Sequence, residues 1–523
     1  MKRKPLLEMK REITHIIIEF NKADFEYDVH SLVRAFYQGV AVSILNEKEP
    51  KEPWQLRINL HYYFDRVEVE IYEEEQLRAR ETVEVDYYKE RKETKNVIKR
   101  LLYQMLCKQT GKELPWGDLT GIRPTKIAMG LLESGMSNLE TANYMRNTYL
   151  SGNEKTALAI RIANKERQIL ENIHCKDGYS LYIGIPFCPS ICAYCSFSSN
   201  PIHQWRNRVD DYLAALCKEI QFVADIYKDK ILDTIYIGGG TPTTLDEDQI
   251  KRLLEVIAES FSLDHVSEYT IEAGRPDSIT REKLEVIKSH STPQIPTNLR
   301  ISINPQTMNQ ETLDIIGRAH TVSQTEEAFS LAREVGFDNI NMDLIIGLPG
   351  EDKAKIEYTL QQVEKLAPES VTVHSLAVKR AARLNIFKSE FQEMTMDNSQ
   401  EIMDMAYLYA TKMGMAPYYL YRQKNIAGNL ENIGYATEGY EGIYNILMME
   451  EKQTVMALGA GAVTKLVHSP DDIQRIENVK DIENYIVRID EMIERKRQGI
   501  EKYGIEKQGI KKHEIKKYKI KKY

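Results

Sequence analysis

The sequence predicts an α/β protein whose centre is a partial (β/α)6 TIM-like barrel, with a small α/β domain before it and a mainly helical region after it that closes the barrel. Two observations predict the barrel. Apolar runs recur at 181–186, 234–237, 269–271, 299–303, 340–346 and 371–378, and each gives way to a stretch of helical periodicity. The segments between run and helix are glycine-rich or polar, as strand-to-helix loops are. Strands that alternate with helices in this way run parallel and are buried on both faces. In such a barrel the chemistry gathers at the C-terminal ends of the strands.

The elements follow in order. At 523 residues the chain exceeds a single core, so several domains are expected: 1–150, 175–395, 396–490 and a tail at 491–523. In the first, Val67, Val69 and Ile71, then Val83 and Val85, alternate as half-buried strands do. Val97, Ile98, Leu101, Leu102, Met105 and Leu106 recur at helical spacing, with Gly111 placed to end the helix, and a second helix is expected near 127–132. Within the barrel, Asp246 with Gln249 and Ser323 with Glu326 have the spacing of capping boxes. The region from 396 holds the glycine-rich run Leu458-Gly-Ala-Gly-Ala-Val463. From Gly499 the chain reads as five consecutive five-residue units carrying nine Lys against three Glu, a solvated low-complexity tail by composition.

Composition narrows the function. A hydrophobic share of 42% and a charged share of 28% are those of a soluble globular protein, and no apolar run approaches the length of a membrane span. The N-terminus is basic, but charges interrupt it before a signal-type apolar stretch can form, so a cytoplasmic protein is expected. The net charge of −8 gives no reason to expect nucleic acid. Six cysteines are too few for a disulfide scaffold. Cys107 and Cys217 sit in helical apolar patterns and read as core thiols, and Cys175 reads as structural.

The remaining three, Cys188, Cys192 and Cys195, are spaced C-x3-C-x2-C directly after the first barrel strand. A loop of this spacing can wrap three thiolates around a cube of iron and sulfide, which takes four Cys when fully ligated by protein. Three thiols therefore leave one iron open to a small-molecule amino and carboxylate group. Zinc would want a fourth Cys or His, and none follows in the loop. After the second strand comes Gly238-Gly-Gly-Thr-Pro-Thr243, where exposed backbone groups can approach a charged ligand closely. The third strand ends in Glu272, the fourth runs Arg300-Ile-Ser-Ile-Asn-Pro-Gln306, and the fifth ends near Asp343 before Gly347-Leu-Pro-Gly350. Carboxylates and amides at strand ends can hydrogen-bond ribose hydroxyls or an ammonium group, whereas inside the barrel they would need costly partners.

The run from Tyr182 to Cys195, together with Gly238 to Thr243, resembles the radical S-adenosylmethionine (SAM) superfamily, and within it the oxygen-independent coproporphyrinogen III oxidase family, HemZ-like branch. The resemblance covers roughly 175–465. It implies a [4Fe-4S] cluster on Cys188, Cys192 and Cys195, with SAM chelated to the open iron and cleaved by one electron to a 5′-deoxyadenosyl radical. It implies that Tyr182, Gly239, Glu272 and Val463 contact that SAM. Tyr194, Gly240, Thr241, Gln306, Arg318, Asp343 and Ala377 match positions associated with a second SAM or with the substrate side of the cavity. The implied reaction is decarboxylation of two propionates of coproporphyrinogen III to the vinyl groups of protoporphyrinogen IX in haem biosynthesis, with an electron donor and a small-molecule porphyrinogen as partners. No side chain is needed as acid or base, so no catalytic residue is assigned.

Two positions depart from the family pattern: Gly184 stands where members usually have His, and Phe197 where authentic oxidases carry a further Cys. A haem-binding chaperone of the same superfamily, which also lacks that Cys, and a radical SAM enzyme acting on another substrate are the alternatives. A tetra-anionic porphyrinogen calls for a local cationic pocket in an acidic protein. Lys379, Arg380 and Arg383, with Arg422 and Lys424 beside Tyr418, Tyr419 and Tyr421, are the candidates for it.

Overall fold

The computed structural model describes residues 13–45, 53–86, 91–121, 123–195, 199–290, 299–377, 384, 394–423, 430–469 and 472–503. It divides into two compact units, one running through Ile160 and the other beginning at Arg161. In the first unit, strands β1 (His15–Phe20), β2 (Ala41–Leu45), β3 (Leu56–Tyr62), β4 (Arg66–Glu73) and β5 (Gln76–Glu84) form one sheet in the order β2-β1-β3-β4-β5. The alternation read in the sequence is real: Val67, Val69 and Ile71 on β4 are buried against the helices Glu26–Phe36 and Arg91–Thr110. Gly111 ends the second of these helices with a positive φ of 68°, its amide donating to the Cys107 carbonyl, a conformation in which only glycine escapes a Cβ penalty.

The second unit is built on six parallel strands: β6 (Gly178–Ile185), β9 (Ile231–Gly239), β10 (Glu268–Glu272), β11 (Leu299–Ser302), β12 (Ile340–Ile346) and β13 (Ser370–Ser375). They neighbour one another in the order β6-β9-β10-β11-β12-β13 and do not close. This is the partial barrel. Two short strands, β7 (Phe187–Cys188) and β8 (Asn200–Pro201), pair beside the cysteine loop. The helices pack outside on apolar faces, for example Leu253, Leu254 and Ile257 of the helix Glu247–Ser260, whose Asp246–Gln249 capping box forms as the sequence predicts. The other box forms two residues earlier than expected. Thr321 and Gln324 cap the helix Val322–Val335, while Ser323 lies inside it and bonds Glu327.

The region after 395 differs from the mainly helical expectation. Besides the helices Gln400–Lys412, Ile443–Glu450 and Ile482–Val487 it supplies five strands. Here β14 (Ala416–Tyr421) and β15 (Asn432–Ala436) extend the sheet antiparallel from β13, while β16 (Thr454–Leu458) runs parallel to β6 and is followed by β17 (Val463–Ser469) and β18 (Asp472–Glu477). The tail also begins later than expected. A helix runs Ile489–Tyr503, burying Met492, Lys496 and Ile500, so residues 491–503 belong to the folded unit. Of the other cysteines, Cys107 and Cys217 are half-buried on their helices, and burial pushes both thiols up. Among the described residues no helix is long and apolar enough to cross a membrane.

Candidate active site

The mouth of the barrel is assembled from the C-terminal ends of its strands. β6 and β9 run in register, Gly184 opposite Gly238 and Ile185 opposite Gly239. The chain after Ile185 then turns into the cysteine loop. Gly240 donates to the Ile185 carbonyl and Thr241 to the Phe187 carbonyl, both at 2.7 Å. A Cβ at Gly240 would sit 2.4 Å from the Phe187 oxygen and one at Gly239, whose φ is 106°, 3.1 Å from the Tyr182 hydroxyl. The glycine triplet therefore lets the start of the cysteine loop lie directly on the end of β9.

Each thiol has a polar partner. Thr241 Oγ1 donates to Cys188 Sγ at 3.7 Å, Arg275 NH1 donates to Cys192 Sγ at 3.7 Å, and Cys195 Sγ lies 3.4 Å from Ser199 Oγ. Donors of this kind stabilise thiolate ligands, and burial, which pushes the Cys188 thiol up, is the penalty they offset. Among the described residues no three His, Cys, Asp or Glu side chains are grouped to hold a single metal ion. Thiols on a cubane ligate separate irons rather than one point, so this donor set fits a cluster.

Beside the loop is a polar wall. Tyr236 donates to Glu272 Oε1, and Asn304 Nδ2 donates to Glu272 Oε2 at 3.0 Å. Burial, and then the negative charge of Asp343, push the Glu272 carboxyl up to about 7. Burial also opposes the Asp343 charge, but His374 at 3.8 Å and the Asn341 amide at 2.8 Å outweigh it and hold that carboxyl below its usual range. The Tyr421 hydroxyl lies 3.2 Å from His374 Nδ1. Gln306, at a positive φ of 68°, is locked by backbone bonds to Asp343 and Ile345. Among the described residues its Oε1 and the Oδ1 of Asn304 are buried without a protein partner. Buried acceptors left open in this way are ready for amino or hydroxyl donors of a ligand. Tyr182, Tyr236 and Tyr444 stack with ring centroids 4.5–6.3 Å apart, and burial followed by Glu272 pushes the Tyr182 hydroxyl up to about 12.

The sequence-predicted residues fall in three groups. Gly239, Gly240, Thr241, Glu272 and Gln306 lie at the C-terminal ends of the parallel strands or in the loops that leave them, while Tyr182 and Asp343 lie inside β6 and β12. Arg318 and Tyr194 form a bonded pair: Arg318 NH1 donates to the Tyr194 hydroxyl at 2.9 Å, and NH2 to the carbonyls of Gly274 and Asn304. Ala377 lies two residues past β13, and Val463 begins β17 just after the turn at Gly459–Gly461. That turn lies on β6. A Cβ at Gly459 would meet the Gly184 carbonyl at 2.5 Å, and one at Gly184 would meet the Leu458 carbonyl at 3.2 Å. A His at position 184 would therefore require the 458–461 turn to shift.

The cationic pocket is revised. Arg422 is 4% exposed and faces the fully buried Glu431, so it is an internal charge rather than an open lining group. Lys379, Arg380, Arg383, Lys424 and Phe197 lie outside the described residues. Sequence reasoning missed Arg275, Tyr236, Asn304 and His374. Tyr236 and His374 could have been found from alternation, since each shares the inward face with a polar residue already chosen on its own or a neighbouring strand.

The family model for the Radical SAM superfamily matches residues 182–363. The oxygen-independent coproporphyrinogen-III oxidase-like protein HemZ of Bacillus subtilis is 41% identical over 416 residues, covering 79% of this chain and 82% of that protein. The heme chaperone HemW of the same organism is 32% identical over 310 residues, covering 59% of this chain and 75% of that protein. Among solved structures, coproporphyrinogen III oxidase (HemN) of Escherichia coli, a radical SAM enzyme, matches with a TM-score of 0.49 at 22% identity, covering 62% of this chain and 73% of that one. The chain belongs to the radical SAM superfamily, with a [4Fe-4S] cluster and SAM as its cofactors, and within it to the HemZ-like branch of the oxygen-independent coproporphyrinogen III oxidase family.

Proposed function

We propose that the chain carries out the oxygen-independent oxidative decarboxylation of coproporphyrinogen III to protoporphyrinogen IX. What supports this reading is the 41% identity to a protein named oxygen-independent coproporphyrinogen-III oxidase-like, together with a three-thiol loop beside a polar wall of Glu272 and Asn304, whose Oδ1 is a buried acceptor without a partner among the described residues. Such a wall suits an amino acid and a ribose held at a cluster rather than a macrocycle alone.

In this reading Cys188, Cys192 and Cys195 hold the cluster. Tyr182, Gly239, Glu272 and Val463 hold the SAM bound to it. Tyr194, Gly240, Thr241, Gln306, Arg318, Asp343 and Ala377 line the substrate side or a second SAM. When bound, the two cofactors would supply one-electron cleavage and a radical that takes a hydrogen atom from a propionate, with CO2 and a proton leaving and the remaining electron passing to a one-electron acceptor. The chain itself orients, fixes charge and excludes water. Glu272 accepts hydrogen bonds from the ligand, with Tyr236 and Asn304 fixing its carboxylate. His374 and Asn341 keep Asp343 ionised at the mouth. Arg318 fixes the Tyr194 ring behind Cys192 and Cys195 by spending its N–H groups on Tyr194 and on two carbonyls.

A second reading, haem delivery, is favoured by the 32% identity to a protein named heme chaperone. One experiment separates the two. Anaerobic protein supplied with coproporphyrinogen III, SAM and dithionite is expected to give a product lighter by two CO2 and four hydrogens by mass. Stoichiometric haem binding, seen as a Soret shift, with no such product would replace the oxidase reading with the chaperone.

A further inference from the structure

Of the three thiols, only Cys192 receives a cationic donor among the described residues. Cys188 is met by the Thr241 hydroxyl and Cys195 by that of Ser199. Arg275 reaches Cys192 from the loop after β10, with NH1 donating to Cys192 Sγ at 3.7 Å and to Ser190 Oγ at 3.1 Å. Ser190 in turn donates to the Gly317 carbonyl at 3.2 Å, so one guanidinium nitrogen holds two positions of the C-x3-C segment. The guanidinium is aimed by Asp277, which accepts Nε at 2.9 Å and NH2 at 2.8 Å in a fork. Arg275 is 3% exposed and Cys192 8%. A second cation is close, but the hydrogen bonds of Arg318 go to Tyr194, Gly274 and Asn304 and none to sulfur.

The physics of this arrangement is directional. An electron added to an iron–sulfur cluster spreads onto its sulfurs, so an N–H donor and a positive charge at a ligand sulfur stabilise the reduced form more than the oxidised form. A charged donor does this more strongly than a hydroxyl, and more so in a buried site of low dielectric. A carboxylate gripping the same guanidinium works the other way by cancelling part of its charge.

We propose that Arg275 is a positioning and potential-setting residue for the cluster, raising its reduction potential through Cys192, and that Asp277 both aims the guanidinium and limits that rise. The inference rests on the reading that Cys188, Cys192 and Cys195 ligate the cluster, and its test separates the two. Full-length protein is reconstituted anaerobically with iron and sulfide, and loading is measured first by metal analysis and by the spectrum of the reduced cluster. Absence of a four-iron cluster in the unmodified chain would defeat the reading of the site itself.

In loaded protein the readout is the midpoint potential from a redox titration followed by electron paramagnetic resonance, without SAM and without turnover. R275Q is expected to lower the equilibrium constant for reduction at least tenfold, a fall of about 59 mV for a one-electron couple. D277N removes a negative charge from the same guanidinium and is expected to shift the potential the opposite way. R275K keeps the charge without the fork and should fall between R275Q and the unmodified chain. General damage to the loop would not move R275Q and D277N in opposite directions. If R275Q fails to load, the sign for D277N decides: a rise supports the proposal. Unchanged potentials in both loaded variants, or shifts of the same sign, would overturn it.

Discussion

Gly240→Ala tests how the cysteine loop is seated. The added methyl would lie 2.4 Å from the Phe187 carbonyl oxygen and 2.9 Å from that of Ile185. Both oxygens are backbone and both accept 2.7 Å hydrogen bonds from Gly240 and Thr241, so neither can swing aside as a flexible side chain would. Forcing a methyl into a packed site costs about 1–3 kcal/mol, and weakening two buried hydrogen bonds adds about 0.5–1.5 kcal/mol each. Together the loss is roughly 2–6 kcal/mol, concentrated where the chain enters Cys188. Gly130→Ala is the matched control. Gly130 lies inside the helix Pro124–Glu133 with no atom near the would-be Cβ, and there the same change should stabilise by up to about 1 kcal/mol. Denaturant unfolding read alongside iron loading should show the first variant weakened on both counts and the second on neither. A Gly240→Ala protein as stable as the unmodified chain and fully loaded with iron would refute the account of the loop's seat.

Further expectations concern charge. Because burial and Asp343 raise Glu272 to about 7 while its unfolded value is near 4.3, the folded carboxyl holds a proton that the unfolded chain releases. Stability from this group is therefore full below the unfolded value and declines as pH rises from there to about 7. SAM affinity should strengthen as pH rises through about 7, where the folded carboxylate forms, and Glu272→Gln should flatten a calorimetric affinity profile. Glu219 and Lys496 are both fully buried, 3.2 Å apart, and Glu219 also accepts from Gly459, Asn478 and Tyr485. Lys496→Met alone should cost about 3–5 kcal/mol in unfolding experiments by stranding the Glu219 charge, and a second change, Glu219→Gln, should recover part of that loss.

Much of this molecule is legible in the sequence because its signals are local. The six strands announce themselves as apolar runs, since a parallel strand covered on both faces needs apolar residues throughout. The cluster loop is legible because its three thiols are consecutive in one turn of chain. Arg275 was not legible for the opposite reason: its reach to Cys192 depends on two loops, 83 residues apart, meeting at the barrel mouth. Arg422 misled as a binding cation because nothing in the run Tyr421-Arg-Gln-Lys reveals that it turns inward toward Glu431. The strands beyond 395 escaped notice because they pair with distant partners, β15 with β13 and β16 with β6, and their tyrosines and glycines carry little periodicity of their own. The shift of one capping box from Ser323 to Thr321 is a choice between two hydroxyls that only the helix register decides.

On the proposed reading, one loop supplies three of the four ligands a cubane needs and leaves an iron for SAM. Electron paramagnetic resonance of anaerobically reconstituted, dithionite-reduced protein, recorded before and after adding SAM, tests it most directly. A reduced four-iron signal should appear and change shape when SAM is added, because SAM would ligate the open iron. A reduced cluster whose signal is indifferent to saturating SAM, or no four-iron signal at all, would contradict it.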